Sequence, residues 1–421
     1  MYAIKIEKTA SFVDENIEIA ISGKPKEILC LKIQTSDLYS ANGNIRQMEV
    51  GTKWYAEKEI FLDDKGIALM DAKIFTTLQI VKSKVSGLPQ KLSEVAENRS
   101  SHYTLTLVKA GKEVARIEHE RMFCDNTVDS VDICSKQLTA RYFIKREMKE
   151  DIQKVPGIIV VSGSDGRIER AQAIAECFAR RGFGAIAVCY FGMENVEKDL
   201  SRVPMEYIEN AITYLKKRKE IDPNKIGIYG RSKGGEMVLL AATLFPKIKF
   251  VVANTPSIYV NQGLKTSGGL SPYSSWCYQS REIPFIKTPI SAAIRLLWAF
   301  CLKKRFAFRH FYQAITWNKQ DHLAARIKIE ETNAKMLLLS SDTDAIWPSD
   351  LYAKEAVEIM KQASKGDNIQ SYCYHNSGHM LTIPYQPIPN CEEYGGRLEE
   401  GVSATIDAWN KTIEFIDNYN H

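Results

Sequence analysis

The feature that most constrains this chain is a change of hydrophobic period part-way along it. Up to about residue 120, apolar and polar residues alternate, as in Ile17-Glu-Ile-Ala-Ile, Leu29 to Ile33, Tyr103-Thr-Leu-Thr-Leu and Val114-Ala-Arg-Ile-Glu. Alternation marks strands with one buried face. Asp63-Asp64-Lys65-Gly66 and Ala110-Gly111-Lys112 read as hairpin loops between such runs. Residues 1–120 are therefore expected to form an immunoglobulin-like β-sandwich. From about residue 155 short β-branched runs are each followed by a helical stretch, the pattern of a parallel sheet with crossover helices. Strands are expected at 157–161, 185–190, 225–229, 250–253, 335–339 and 369–374, with helices near 170–181, 204–217, 233–244, 349–362 and 402–418. Residues 256–331 interrupt this rhythm and read as an insertion capping the site. A chain of 421 residues exceeds what one core usually supports, so residues 121–421 are expected to fold separately as an α/β domain.

Within that domain Gly230-Arg231-Ser232-Lys233-Gly234 fits G-x-S-x-G, with a strand before it and a helix after it. Such a turn lifts a serine hydroxyl above the sheet, and its glycines leave room for a close strand-to-helix approach. Met336 to Trp347 offers two acids at a strand end, Asp342 and Asp344. Asp344 is the choice for orienting the base, being fixed beside Trp347-Pro348, while Asp342 reads as a loop or capping residue. Of seven histidines, His379 follows the last strand in Asn376-Ser-Gly-His and completes the order Ser, Asp, His, with His375 as its rival. Backbone N–H groups of Lys233 and, from the loop Val161-Ser-Gly-Ser-Asp-Gly, of Ser164 are the candidate oxyanion donors. That loop has neither phosphate-binding fingerprint, so a nucleotide cradle is disfavoured.

These residues sit within a longer run of ordered matches. Pro156-Gly-Ile-Ile, Arg181-Gly-Phe-Gly-Ala-Ile-Ala-Val-Cys-Tyr-Phe, Met205-Glu-Tyr-Ile-Glu-Asn-Ala, Gly230-Arg-Ser-Lys-Gly-Gly-Glu, Asp344-Ala-Ile-Trp-Pro-Ser, Ser377-Gly-His, Ile383-Pro-Tyr, Tyr394-Gly-Gly and Asp407-Ala-Trp resemble the acyl-CoA thioesterase and bile acid-CoA:amino acid N-acyltransferase family. The resemblance implies a triad of Ser232, Asp344 and His379 and an N-terminal immunoglobulin-like domain. It also implies that a serine nucleophile goes with thioester hydrolysis and a cysteine with transfer to an amine. An acyl-serine is a poorer acceptor for amine attack than an acyl-cysteine, which agrees. Arg231 stands where the resemblance implies a small or aliphatic residue.

The expected activity is hydrolysis of a fatty or related acyl-CoA thioester, without metal or cofactor beyond the coenzyme A of the substrate. The alternatives are a carboxylesterase or dienelactone-type hydrolase, an N-acyltransferase, and a catalytically silent binding protein on the same fold. Between Arg295 and Arg309 five cations occur without an acid. Lys303, Lys304, Arg305 and Arg309 are candidates for the phosphates of coenzyme A and Trp298 for the acyl channel. The competing reading is a packed helix with a solvated basic face, or a segment that touches a membrane surface. A net charge of +5 spread along the chain argues against nucleic acid as partner. No signal peptide or membrane span is expected, and nine scattered cysteines suit reduced thiols and a cytoplasmic protein. Oligomeric state is not legible.

Overall fold

A computed structural model describes residues 1–39, 51–82, 88–97, 100–149, 153–289, 294, 308–316, 322–388 and 391–420. The chain divides into two compact units, one of residues 1–88, 96–126 and 383–389, the other of 89–95, 127–382 and 390–421. The division thus lies near 126 rather than 120, and each unit takes a short segment from the sequence range of the other.

The first unit is all β. One sheet of six strands runs in the order Ala10–Phe12, Lys112–Met122, Ser100–Lys109, Ile28–Thr35, Lys53–Phe61, Gln79–Lys82, and a sheet of three in the order Ala3–Ile6, Glu18–Ser22, Ile67–Asp71. Alternation is literal here: along Ile28–Thr35, Leu29, Leu31, Ile33 and Thr35 are buried and the residues between them are not. Ala110-Gly111 closes a hairpin, since the strands on either side pair with each other. Asp63 to Gly66 does not. Lys53–Phe61 pairs with Ile28–Thr35, whereas Ile67–Asp71 pairs with Glu18–Ser22 in the other sheet. The Asp63 carboxylate accepts from Lys65 N and Ile67 N and reverses the chain, but turn chemistry fixes only the reversal, not the strand that is paired next.

The second unit is built on an eight-stranded sheet. In chain order its elements are β1 Val128–Ser135, β2 Leu138–Lys145, β3 Val155–Val161, α1 Ile168–Ala179, β4 Gly184–Cys189, α2 Glu206–Lys217, β5 Ile221–Arg231, α3 Lys233–Leu244, β6 Ile248–Asn254, β7 Lys335–Ser341, α4 Ser349–Gln362, β8 Ile369–Tyr374 and α5 Leu398–Asp417. The sheet order is β1-β2-β4-β3-β5-β6-β7-β8, antiparallel at the β1 and β2 edge and parallel elsewhere. This is the α/β-hydrolase fold. All residues of β3 and β4 are buried, as strands covered by helices on both faces must be. The parallel strands send their carboxyl ends to one edge, where ligands bind in open α/β sheets. That edge receives the loop from Ser162, then Ser232, Asn254-Thr255, Asp342 to Asp344, and His375 to His379.

Part of the 256–331 segment is described. It packs into the domain through buried Ile258, Val260 and Trp276, and residues 276–278 pair in parallel with Val203-Pro204. Among the described residues no helix is long and apolar enough to cross a membrane. Seven described cysteines are free thiols.

Candidate active site

Ser232 takes φ 57° and ψ −121° between β5 and α3, a conformation that costs a non-glycine residue energy. The surrounding glycines permit it. A Cβ on Gly230 would lie 2.3 Å from Gly234 O, and one on Gly234 would lie 2.0 Å from Ser162 O. Ser232 N donates to Asn254 O at 2.9 Å, which ties the turn to the end of β6. The loop after β3 lies against the same serine: the Cβ position of Gly163 is 3.4 Å from Ser232 Cβ.

Asp344 is fully buried and its carboxylate is saturated with donors. Oδ1 accepts from Ile346 N at 2.9 Å and Trp347 N at 3.3 Å, and Oδ2 from Ser349 Oγ at 2.7 Å and His379 Nδ1 at 2.8 Å. Because a carboxylate only accepts, Nδ1 carries the proton and Nε2 is left as the basic nitrogen. The imidazole is held by Tyr394 stacked on it at 6.4 Å and Trp347 edge-on at 6.0 Å, while its own backbone N–H donates to Tyr394 O. Thr255 Oγ1 donates to His379 O, so the residue after Asn254 touches the histidine just as Asn254 touches the serine. Among the described residues no hydrogen bond joins Ser232 Oγ to His379, which differs from the closed hydrogen-bonded chain the sequence suggests. Such contacts are often long before substrate binds.

The rival acid and base pair with each other. Asp342 Oδ2 meets His375 Nδ1 at 2.5 Å, and Asp342 Oδ1 accepts from Asn376 N at 3.0 Å. Burial works to raise the Asp342 pKa, but the bonds from His375 and Asn376 outweigh it and hold the carboxyl below its ordinary value. His375 is exposed at the surface.

Of the candidate oxyanion residues, Lys233 opens α3, where a first-turn N–H has no acceptor within the helix, and Ser164 is exposed in the loop after β3. The Lys233 side chain turns inward: Nζ lies 3.0 Å from Glu236 Oε1 and donates to Ser275 Oγ at 2.7 Å. Glu236 also accepts from Asn261 N, Asn261 Nδ2 and Trp276 Nε1, fastening residues 261–276 to the elbow helix. Arg309 pairs with Asp350, with nitrogen-oxygen distances of 2.8 and 3.1 Å. Its charge is thereby shared with a carboxylate of the same domain. Trp298, Lys303, Lys304 and Arg305 lie outside the described residues.

Tyr394, Thr255 and Ser349 were not singled out for the site by the sequence. The signal for Tyr394 was present in Tyr394-Gly-Gly. A Cβ on Gly395 would lie 1.9 Å from Thr343 O, one on Gly378 2.3 Å from Gly395 O, and one on Gly396 2.5 Å from Gly378 N. The loops carrying the acid, the histidine and Tyr394 are thus interlocked backbone to backbone.

Residues 203–420, more than half of the chain, match the family model described as BAAT / Acyl-CoA thioester hydrolase C terminal. The chain belongs to this family. Among curated members, acyl-coenzyme A thioesterase 3 of Mus musculus is 26% identical over 324 residues, covering 73% of this chain and 68% of that protein. Acyl-coenzyme A thioesterase 2, mitochondrial, of Rattus norvegicus is 26% identical over 315 residues, covering 73% and 64%. Among solved structures, a putative dienelactone hydrolase from Klebsiella pneumoniae is 18% identical, with a TM-score of 0.40 over 69% of this chain and 98% of the other. An esterase from Pyrobaculum calidifontis is 15% identical, with a TM-score of 0.40 over 69% and 87%.

Proposed function

We propose that this member of the acyl-CoA thioester hydrolase family cleaves an acyl-CoA thioester through an acyl enzyme on Ser232. His379 Nε2 takes the Ser232 proton as Oγ attacks the thioester carbon, and Asp344 stabilises the imidazolium that results. Backbone N–H groups of Lys233 and Ser164 receive the oxyanion. Collapse of the tetrahedral adduct breaks the carbon-sulfur bond, and the thiolate of coenzyme A leaves with the proton from His379. Water, deprotonated by His379, then attacks the acyl-serine ester and returns the acid product and free Ser232.

The observation that carries this reading is the buried 2.8 Å contact between His379 Nδ1 and Asp344 Oδ2, which leaves Nε2 as a base at the sheet edge that also presents Ser232. The serine supports hydrolysis over transfer to an amine, because an oxygen ester resists aminolysis more than a thioester does. The test compares steady-state turnover of acyl-CoA substrates, p-nitrophenyl esters and acyl-CoA with an amino-acid acceptor, with fluorophosphonate labelling alongside. Thioester hydrolysis and labelling are expected in the wild type and absent in Ser232→Ala. Ester turnover far above thioester turnover, amide formation, or no labelling of the wild type would each replace this reading with one of its alternatives.

A further inference from the structure

Tyr190 follows β4 directly and is fully buried. A buried phenol O–H calls for an internal acceptor. It donates toward two carbonyl oxygens of the loop after β3, Gly163 O and, at 3.2 Å, Ser162 O. The Tyr190 backbone holds the same loop: its N–H donates to Gly166 O at 3.0 Å, and Gly166 N donates in turn to Gly163 O at 3.0 Å. The ring is fixed by Phe191 at 5.4 Å and Trp276 at 5.8 Å. Burial first, and then the charge of Asp165, raise the Tyr190 pKa, so the hydroxyl keeps its proton and remains a donor.

The carbonyls gripped in this way belong to peptides beside the nucleophile, since the Cβ position of Gly163 is 3.4 Å from Ser232 Cβ. In a trans peptide the carbonyl and the following N–H point to opposite sides, and the Gly163–Ser164 peptide is trans. Holding Gly163 O toward the buried phenol therefore turns the Ser164 N–H away from it, to the open side of the loop. Ser164 is exposed there, and among the described residues no hydrogen bond takes up its N–H. A donor kept for a substrate oxygen must be free in just this sense. A carbonyl that accepts hydrogen bonds also polarises its peptide, which makes the N–H on the other side a stronger donor.

We propose that Tyr190 is a positioning residue of the oxyanion hole, its hydroxyl fixing Gly163 O and thereby aiming the Ser164 N–H at the oxygen of the scissile carbonyl. This rests on the oxyanion donors assigned above and adds the side chain that sets one of them. As Ser232 Oγ bonds to the carbonyl carbon, the π pair of the carbonyl moves to its oxygen and the Ser232 proton goes to His379 Nε2. The anionic oxygen then accepts from an N–H that needs no reorientation. Tyr190 acts through that peptide and not on the substrate.

The test compares the full chain with its Tyr190→Phe variant, which keeps the ring and removes only the hydroxyl. Steady-state kinetics are read beside inhibition by two compounds: an alkyl trifluoromethyl ketone, which adds Ser232 to give a tetrahedral oxyanion, and an S-alkyl thioether of coenzyme A, which has no carbonyl. Tyr190→Phe is expected to lower kcat by about tenfold with little change in KM, the worth of a neutral hydrogen bond. It should weaken the ketone by a similar factor and leave the thioether unchanged. The final extent of fluorophosphonate labelling, as opposed to its rate, counts folded sites. If these are lost, fluorotyrosine in place of Tyr190 keeps the hydroxyl as a stronger donor and should tighten the ketone alone. Unchanged ketone affinity in the variant, or an equal change for ketone and thioether, would overturn the positioning role. Acyl-CoA left uncleaved by the wild type would instead remove the thioesterase reading, and the ketone comparison would still report on Tyr190.

Discussion

Ser232 and Asn254 are joined by a backbone hydrogen bond of 2.9 Å from the ends of adjacent parallel strands, and that bond helps hold the serine at φ 57°. The strained residue is the proposed nucleophile. Ser232→Gly removes the Cβ that makes a positive φ costly, so it should stabilise the protein by about 1 kcal/mol while abolishing turnover. Urea denaturation read with the thioester assay checks both halves.

Asp344 determines which imidazole nitrogen is basic. Asparagine in its place keeps the volume but can present an N–H to Nδ1, which favours the tautomer with its proton on Nε2. Asp344→Asn should lower kcat by about 10³ to 10⁴ with a much smaller change in KM. Steady-state kinetics test this, and a loss of less than tenfold would remove Asp344 from the role proposed for it.

Glu236 is the counter-charge of a buried lysine. Burial lowers the Lys233 pKa and Glu236 works against it. Glu236→Gln should cost about 3 kcal/mol, because the buried ammonium group keeps its bond to Ser275 but loses its counter-charge. Adding Lys233→Met should recover much of the loss. Chemical denaturation of the two single variants and the double variant measures the coupling.

His119 in the β unit is buried, with Nε2 2.8 Å from Ser11 Oγ. Desolvation first, and then the charge of Arg121, push its pKa down from 6.5 to about 4. The folded state therefore binds this proton more weakly than the unfolded state does. Stability from the neutral ring is fully present above pH 6.5, declines as pH falls, and is fully lost below about pH 4. His119→Gln should flatten that part of the stability profile, measured by denaturation at stepped pH.

Most of the hydrolase strands and helices were legible because a short apolar run, as in Val155–Val161 and Gly184–Cys189, or an amphipathic face, as in Glu206–Lys217, marks a span set by its own residues. Lys233–Leu244, Ser349–Gln362 and Ile369–Tyr374 agree with the sequence reading to the residue. The β1 and β2 edge, Val128 to Lys145, was not anticipated: Leu138 to Ile144 is buried throughout, so it lacks the alternation that marked the earlier strands. In the site, Asp344 and His379 could be selected because each follows a strand in a fixed chain order. The contributions of Thr255 and Tyr394 depend on contacts across more than a hundred residues or between loops, which local pattern does not encode. Arg309 illustrates the converse. Its basic neighbourhood in sequence suggested a free cation, but its partner Asp350 is reached only through the fold.

The crowding at Gly378, Gly395 and Gly396 has a consequence for how this catalyst could diversify. Since a single methyl group at any of the three would meet main-chain atoms, acid and base ride on one rigid mount that sequence drift can hardly reshape. Changes that alter which acyl groups are admitted are left to positions outside these three glycines, where side chains can vary without moving the groups that transfer the proton.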